Sequence, residues 1–87
     1  MYDLEIKPTA DKAFKRLAKK DKGQLKRVNA KIIQILETPY HYKPLRKPLD
    51  GCRRAHVGSF VIIFEIDENN QIVSILDYDH HDNIYKK

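Results

Sequence analysis

The stretch that decides the fold is KPLRKPLDGCRRAHVGSFVIIF, which runs from Lys43 to Phe64. Its prolines, glycines and apolar runs predict a basic loop over 40–50 and a short strand over 52–57. A tight turn at 58–59 and a longer strand over 60–67 follow. Residues 60–64 are apolar at every position, a pattern typical of a central strand that is covered on both faces. We expect Leu45 and Leu49 to anchor the loop to the core.

Outward from this stretch, periodicity predicts the remaining elements. On the N-terminal side these are a strand over 2–7 and a helix over 10–20 that is capped by Thr9. A second helix, over 22–37, starts at Lys22 or Gln24. On the C-terminal side they are a hairpin turn at 68–70, a strand over 71–78, and a tail over 80–87 that could form a short helix.

This order predicts an α+β fold of two layers, forming a single domain over 1–87. An N-terminal strand precedes an antiparallel helical hairpin, and a three-strand antiparallel meander completes a four-stranded twisted sheet. The helices would cover one face of the sheet. The other face would be left concave and partly open.

The charge of the chain is unevenly distributed. The 87 residues carry a net charge of +5, but residues 1–56 hold 15 of the 17 basic residues and 6 of the 12 acidic ones, a net charge of +9. Residues 57–85 hold no Lys or Arg. A positive surface of this kind attracts nucleic acid or an acidic protein partner, although Lys-rich helices alone are equally consistent with a solvated surface.

Several classes of protein are disfavoured by composition. Cys52 is the only cysteine, which excludes an internal disulfide and suits the reducing cytoplasm. We expect no membrane association and no signal peptide, because no apolar run approaches the roughly 20 residues that span a bilayer. The sequence has no Gly-rich phosphate loop, which argues against nucleotide hydrolysis.

Candidate functional side chains converge on the open face of the predicted sheet. Alternation along 52–57 places Cys52, Arg54 and His56 on that face and Arg53, Ala55 and Val57 on the other. The preceding loop adds three cations, and the end of the last strand adds two imidazoles and a phenol. These residues are Lys43, Arg46, Lys47, His80, His81 and Tyr85.

Such a set could cleave RNA without a metal, because the 2′-hydroxyl of RNA is its own nucleophile. Histidine suits the two proton transfers, and arginine suits the charge that develops on the phosphate. Other interpretations remain open: His80 and His81 could be a solvated pair, or could bind zinc with Asp79 and Asp82. His56 could simply cap a strand end, and Arg53 and Arg54 could pair with acidic side chains across the hairpin, Glu65 or Asp67.

The ordered motifs of the chain resemble the RelE/ParE superfamily, the small toxins of type II toxin–antitoxin systems. They are K-P-L-x-x-x-L-x-G-x-R-R from Lys43, a strand–G-x-aromatic–strand unit, and a final H-x-x-x-[IV]-Y. The resemblance implies a two-layer RelE-like fold. It also implies cleavage of mRNA in the ribosomal A site by 2′-hydroxyl attack, giving a cyclic phosphate, and inhibition by an antitoxin.

The resemblance assigns roles residue by residue. Arg54 and His56 match the two basic positions of the first meander strand, His80 and Tyr85 match the C-terminal histidine and tyrosine, and His81 stands where arginine is usual. Val61 stands where the family has an arginine that contacts the scissile phosphate. This departure favours a non-nuclease member, whereas the retained His/Tyr ending favours a nuclease.

We therefore predict a ribosome-dependent mRNA endoribonuclease with no cofactor and no metal. The predicted catalytic residues are Arg54, His56, His81 and Tyr85; the predicted RNA- and phosphate-binding residues are Lys43, Arg46, Lys47, Arg53 and His80. The predicted partners are an acidic RelB-like antitoxin, the 30S A site and mRNA, with operator DNA contacted only through the antitoxin. The alternative is a non-nuclease, either a ParE-like DNA gyrase inhibitor or a degenerate toxin that acts mainly as antitoxin-binding partner and co-repressor.

Overall fold

The structure, a computed structural model, describes residues 1–85, apart from the side chain of Tyr85. Its elements, in chain order, are β1 (Asp3–Ile6), α1 (Pro8–Lys20), α2 (Lys22–Glu37), β2 (Arg53–Val57), β3 (Phe60–Asp67), β4 (Ile72–His80) and α3 (His81–Tyr85). A 3-10 turn, Pro39–His41, follows α2. The predicted α+β order of strand, helical hairpin and three-strand meander is confirmed.

The four strands form one mixed sheet in the order β1-β4-β3-β2. The meander strands pair antiparallel, whereas β1 runs parallel to β4, with Leu4 opposite Val73. The helical hairpin makes this arrangement possible, because it separates β1 from the meander and lets β1 join the sheet at its far edge. As a consequence β3 and β4 are interior strands, and β2 is an edge strand.

The main core lies between the helical hairpin and one face of the sheet. Its largest fully buried side chains on that face are Ile62, Phe64 and Ile75, which pack against Val28 and Ile35 of α2. Gln24 crosses the layers, donating hydrogen bonds to the Val57 carbonyl and the Tyr78 hydroxyl. The hairpin is therefore fixed to the strands by apolar packing together with a polar tie.

A second, smaller cluster covers the opposite face of the sheet. Val61 and Ile63 of β3 are buried there beneath Ile84 of α3, with Leu45 and Leu49 of the loop packed alongside. The register of β3 against β4 shifts between Ile63 and Phe64, and Leu76 packs against this cluster at the irregularity. The face that we expected to be partly open is thus closed over Val61 and Ile63 of β3.

The predicted cap of the first helix needs correction, whereas the second helix starts at Lys22, one of its two predicted starts. Helix α1 begins at Pro8, so Thr9 lies inside the helix and Lys7 occupies the cap position without a side-chain hydrogen bond. Proline starts the helix because its fixed φ suits the first turn, where its missing N–H is not needed. The break between the helices is a single residue, Asp21, whose carboxylate accepts a hydrogen bond from the Gln24 amide and caps α2.

Within residues 1–85, none of the helices is both long enough and apolar enough to cross a membrane.

Candidate phosphate-binding cleft

A cleft opens between the proline-bounded loop and β2. Its volume is about 420 Å³, and its lining consists of Lys43, Pro44, Leu45, Arg46, Lys47, Pro48, Leu49, Arg54 and Ile84. Backbone hydrogen bonds hold the loop against the strand: Leu45 N donates to Cys52 O at 2.9 Å, and Arg54 N donates to Lys43 O at 3.2 Å. The loop is therefore an extension of the sheet edge and presents its side chains from a fixed backbone.

Four cations share this cleft, and all four were predicted from the sequence. Lys43, Arg46 and Lys47 reach it from the loop, and Arg54 reaches it from β2. Its floor is apolar, formed by Leu45, Leu49 and Ile84. An apolar floor beneath several cations suits an anionic polymer, because phosphates contact the rim while the flat face of a base or sugar packs below.

His56 lies next to the cleft on the same face of β2 as Arg54. Its position opposite Val61 places the imidazole at the edge of the second apolar cluster. Neighbouring groups partly desolvate the exposed His56 imidazole and so lower its pKa from the ordinary value, and the nearby charges of Arg54 and His81 lower it further. This shift favours the neutral ring, which is the form that accepts a proton.

The two adjacent C-terminal histidines occupy different surroundings. His81 begins α3, donates its backbone N–H to the Ser59 carbonyl at 3.0 Å, and contributes to the electrostatic field at His56. The ring of His80 instead lies edge-on to Phe60, with ring centroids 5.4 Å apart. Of the pair, His81 is the one associated with His56.

Arg53 stands apart from the cleft. Its Nη1 donates a hydrogen bond of 2.7 Å to the Tyr42 carbonyl, and its guanidinium lies 5.0 Å from the centre of the Tyr40 ring. Tyr42 packs against the main core, edge-on to Phe64. The predicted phosphate-binding role of Arg53 therefore has no geometric support, since the side chain fastens the segment after α2 to the edge of the sheet.

Val61 is a buried core residue at the position where the resemblance leads one to expect arginine. It is fully buried against Ile63 and Ile84, opposite His56 on β2 and Asp79 on β4. An arginine there would have to leave this cluster. The substitution thus exchanges a phosphate contact for the packing that holds α3 on the sheet.

Two carboxylates lie on the strand beside this face; sequence reasoning missed Asp77 and considered Asp79 only as a possible zinc ligand. Asp77 stands opposite Ile63, and Asp79 stands opposite Val61. The Asp79 carboxylate accepts hydrogen bonds from the His80 amide and the Asn83 side chain, which fixes the start of α3. The alternation of acids along 77–79 was the available signal, but it gave no indication that the two acids share a face with the histidines.

Tyr85, the remaining predicted catalytic residue, ends α3, and its side chain lies outside the described part of the chain.

Comparisons with known proteins identify the family to which this chain belongs. Residues 4–85 match the family model described as the ParE toxin of the type II toxin–antitoxin system parDE. A protein from Methanocaldococcus jannaschii named "Putative toxin RelE4" is 50% identical over 88 residues, covering 100% of this chain and 94% of that protein.

Two solved structures are similar over nearly their whole length. The YoeB/ParE toxin from Agrobacterium tumefaciens has a TM-score of 0.82 at 13% identity, with 91% of this chain and 98% of that chain covered. The RelBE2 toxin–antitoxin complex from Mycobacterium tuberculosis contains a chain with a TM-score of 0.70 at 26% identity, with 92% and 98% covered. The chain belongs to the RelE/ParE superfamily of type II toxin–antitoxin toxins, and within it to the family that the ParE toxin model describes.

Proposed function

We propose that this toxin is an endoribonuclease that cleaves mRNA in the A site of the ribosome. The observation that carries the proposal is the grouping of four cations in one cleft beside the imidazole of His56, whose pKa is lowered, with a second imidazole, His81, close by. Attack by the 2′-hydroxyl requires cations that stabilise the charge on the phosphate and two groups that transfer protons. The reaction takes place in the cytoplasm, where translating ribosomes are found.

Each group in this proposal has a defined step. His56 accepts the proton of the 2′-hydroxyl as that oxygen attacks the adjacent phosphorus, and Arg54 with the loop cations stabilises the charge on the phosphorane. His81 donates a proton to the departing 5′-oxygen. The products are a 2′,3′-cyclic phosphate and a 5′-hydroxyl, and no metal takes part. Tyr85 keeps its predicted role of orienting a base or donating a proton.

Toeprinting of mRNA on translating ribosomes tests this function. We expect the wild-type protein to produce cuts in the A site that disappear with Arg54→Ala and with His81→Ala. Lys12→Ala and His41→Ala are matched controls, because Lys12 is exposed on α1 and His41 lies in the 3-10 turn, both outside the cleft lining. Cuts that survive both cleft substitutions would discard the assigned site.

A second function, without nuclease activity, is favoured by one observation. Val61 is buried in the second core cluster, so the chain lacks an arginine that would contribute a preorganised phosphate contact. Losing one such contact costs roughly 3–4 kcal/mol of transition-state stabilisation. Growth arrest without mRNA cuts would support a DNA gyrase inhibitor, and neither cuts nor arrest would support a degenerate toxin that acts as antitoxin-binding partner and co-repressor.

Under either function the partner is an acidic, largely helical antitoxin, through which alone the toxin contacts operator DNA. Support comes from the net charge of +9 on residues 1–56 and from the similar chain in the M. tuberculosis toxin–antitoxin complex. Co-purification with the product of the adjacent gene is the measurement. A toxin that remains monomeric in the presence of that protein would contradict the assignment.

A further inference from the structure

We propose that His80, His81 and Asp82 form a binding site for zinc at the junction of β4 and α3. Each of the three side chains offers one donor atom, and these atoms all lie within 4.8 Å of one another. Two imidazoles and a carboxylate are a donor set that zinc accepts, with water completing the coordination. The sequence alone suggested that both Asp79 and Asp82 could join the histidines at zinc; among the described residues, Asp82 is the carboxylate that lies with both imidazoles.

Each imidazole lies near one oxygen of the Asp82 carboxylate, and one donor atom from each of the three residues falls within 4.8 Å of the other two. His81 Nδ1 lies 3.1 Å from Asp82 Oδ1, and His80 Nδ1 lies 3.7 Å from Asp82 Oδ2. Bonds of about 2.0–2.2 Å in tetrahedral geometry place neighbouring donor atoms roughly 3.3–3.5 Å apart. Small side-chain rotations would bring the three donors around one ion without any change in the backbone.

Hydrogen bonds to the Asp79 carboxylate and to the Ser59 carbonyl hold the chain at this junction. The Asp79 carboxylate accepts hydrogen bonds from the His80 amide and from Asn83 Nδ2, so it is engaged in fixing α3. The His81 amide donates to the Ser59 carbonyl. These contacts keep consecutive residues of the site in place. Less conformational entropy is therefore lost when the ion orders its ligands.

The Nδ1 atom of His80 is directed towards Asp82, where its lone pair accepts a hydrogen bond of 3.2 Å from the Asp82 amide. Zinc would replace the amide as the partner of that lone pair. The side chains of His80, His81 and Asp82 are 39%, 52% and 62% exposed, which leaves the site open to an ion from solution.

Zinc at this junction would also occupy the imidazole that we assign as proton donor. Inhibition of RNA cleavage by zinc is a consequence that rests on the proposed function, whereas binding of the ion does not. A measurement of binding therefore separates failure of the site from failure of the proposed activity.

Isothermal titration of the tag-free protein with zinc chloride tests the site, and the visible absorption of bound cobalt(II) reports its geometry. We expect one equivalent of zinc per chain, with affinity reduced about tenfold or more by His80→Ala, by His81→Ala and by Asp82→Asn. Magnesium should not compete, because it prefers oxygen ligands.

The controls are His41→Ala and Cys52→Ser, which remove two candidate donors outside the junction and should leave the affinity unchanged. Histidine resonances recorded by NMR check that each variant is folded and show which rings shift when zinc is added. Equal zinc affinity in the wild type and in the His80→Ala/His81→Ala double variant would overturn the proposal. Loss of binding in either control variant would overturn it as well.

Discussion

His56 is the residue whose chemistry depends most directly on its neighbours. Desolvation by neighbouring groups, the charge of Arg54 and the charge of His81 all act in the same direction and lower its pKa. Each disfavours the imidazolium, desolvation by removing water and the two neighbours by repulsion. The charges that lower the pKa of His56 therefore come from β2 and α3.

Replacing Arg54 with alanine should raise the pKa of His56, because it removes the larger of the two repelling charges. NMR titration of the imidazole resonances would measure this. In the wild type we expect a pKa below 6.5, and in Arg54→Ala a value nearer to it. Lys12→Ala, which removes an equal charge from α1, should not change it; a wild-type pKa at or above 6.5 that is insensitive to Arg54 would contradict this account.

Alternation along β2 was enough to predict which of its residues share a face. Arg54 lines the cleft, His56 is associated with it, and Ala55 and Val57 are buried against the helices, as expected from period-two geometry. The local pattern along β2 could not show which groups the Arg53 side chain contacts, because its partners, Tyr40 and Tyr42, come from the segment that follows α2. Those contacts depend on how the chain folds back over the edge of the sheet.

Helix α3 is the element that links the second core cluster to the candidate site. It carries His81 at its first position and Ile84 in the apolar cluster, where the side chain is 4% exposed. A helix of five residues has little stability of its own, so packing of Ile84 must hold it in place. The position of His81 therefore depends on a residue that takes no part in the chemistry.

Ile84→Ala should destabilise the protein by about 2 kcal/mol, near the low end for a buried aliphatic truncation, because a terminal helix can relax into the space. Chemical denaturation monitored by circular dichroism measures the change. Ile33→Ala is the matched control, since Ile33 is 54% exposed on α2, and its effect should stay below about 0.5 kcal/mol. Equal destabilisation by the two substitutions would contradict the role given to Ile84.

At the scale of elements, the sequence predicted those whose patterns are strong and local. The bounds of β3 were predicted correctly over 60–67, because the strand is apolar on both faces and ends at a turn. The start of α1 was wrong because Pro8 was taken as a strand terminator and not as a first helical residue. Parallel pairing of β1 with β4 could not be read from either strand, since it depends on the path of the intervening chain.

The basic residues of the whole molecule are concentrated in residues 1–56, and folding brings some of these charges together in space. The loop and β2 bring cations to one edge of the sheet, while Asp77 and Asp79 stand on β4, across β3 from that edge. The charge count predicted an anionic partner but not this juxtaposition. Side chains far apart in sequence come together only through the order of the strands.

Binding of single-stranded RNA should therefore depend on salt mainly through the cleft. Replacing Lys43, Arg46 and Lys47 with alanine should reduce the slope of log Kobs against log salt concentration by about 2, because each phosphate contact contributes about 0.7. Fluorescence anisotropy at several salt concentrations measures the slope. The triple variant of Lys12, Lys19 and Lys26 removes the same charge from exposed helix positions and should change it much less; equal changes would show that only net charge matters.

The most direct test of the central claim is single-turnover cleavage of mRNA on ribosomes with a defined, empty A site, with mass spectrometry of the new RNA end. The account predicts a 2′,3′-cyclic phosphate at an A-site cut, and a rate about a hundredfold or more lower in Arg54→Ala, because that arginine supplies a preorganised charge at the phosphate. The Lys12→Ala protein should cleave at the wild-type rate. A folded wild-type protein that leaves the mRNA intact, or an Arg54→Ala protein that cleaves as fast as the wild type, would contradict the assignment of this cleft as a nuclease site.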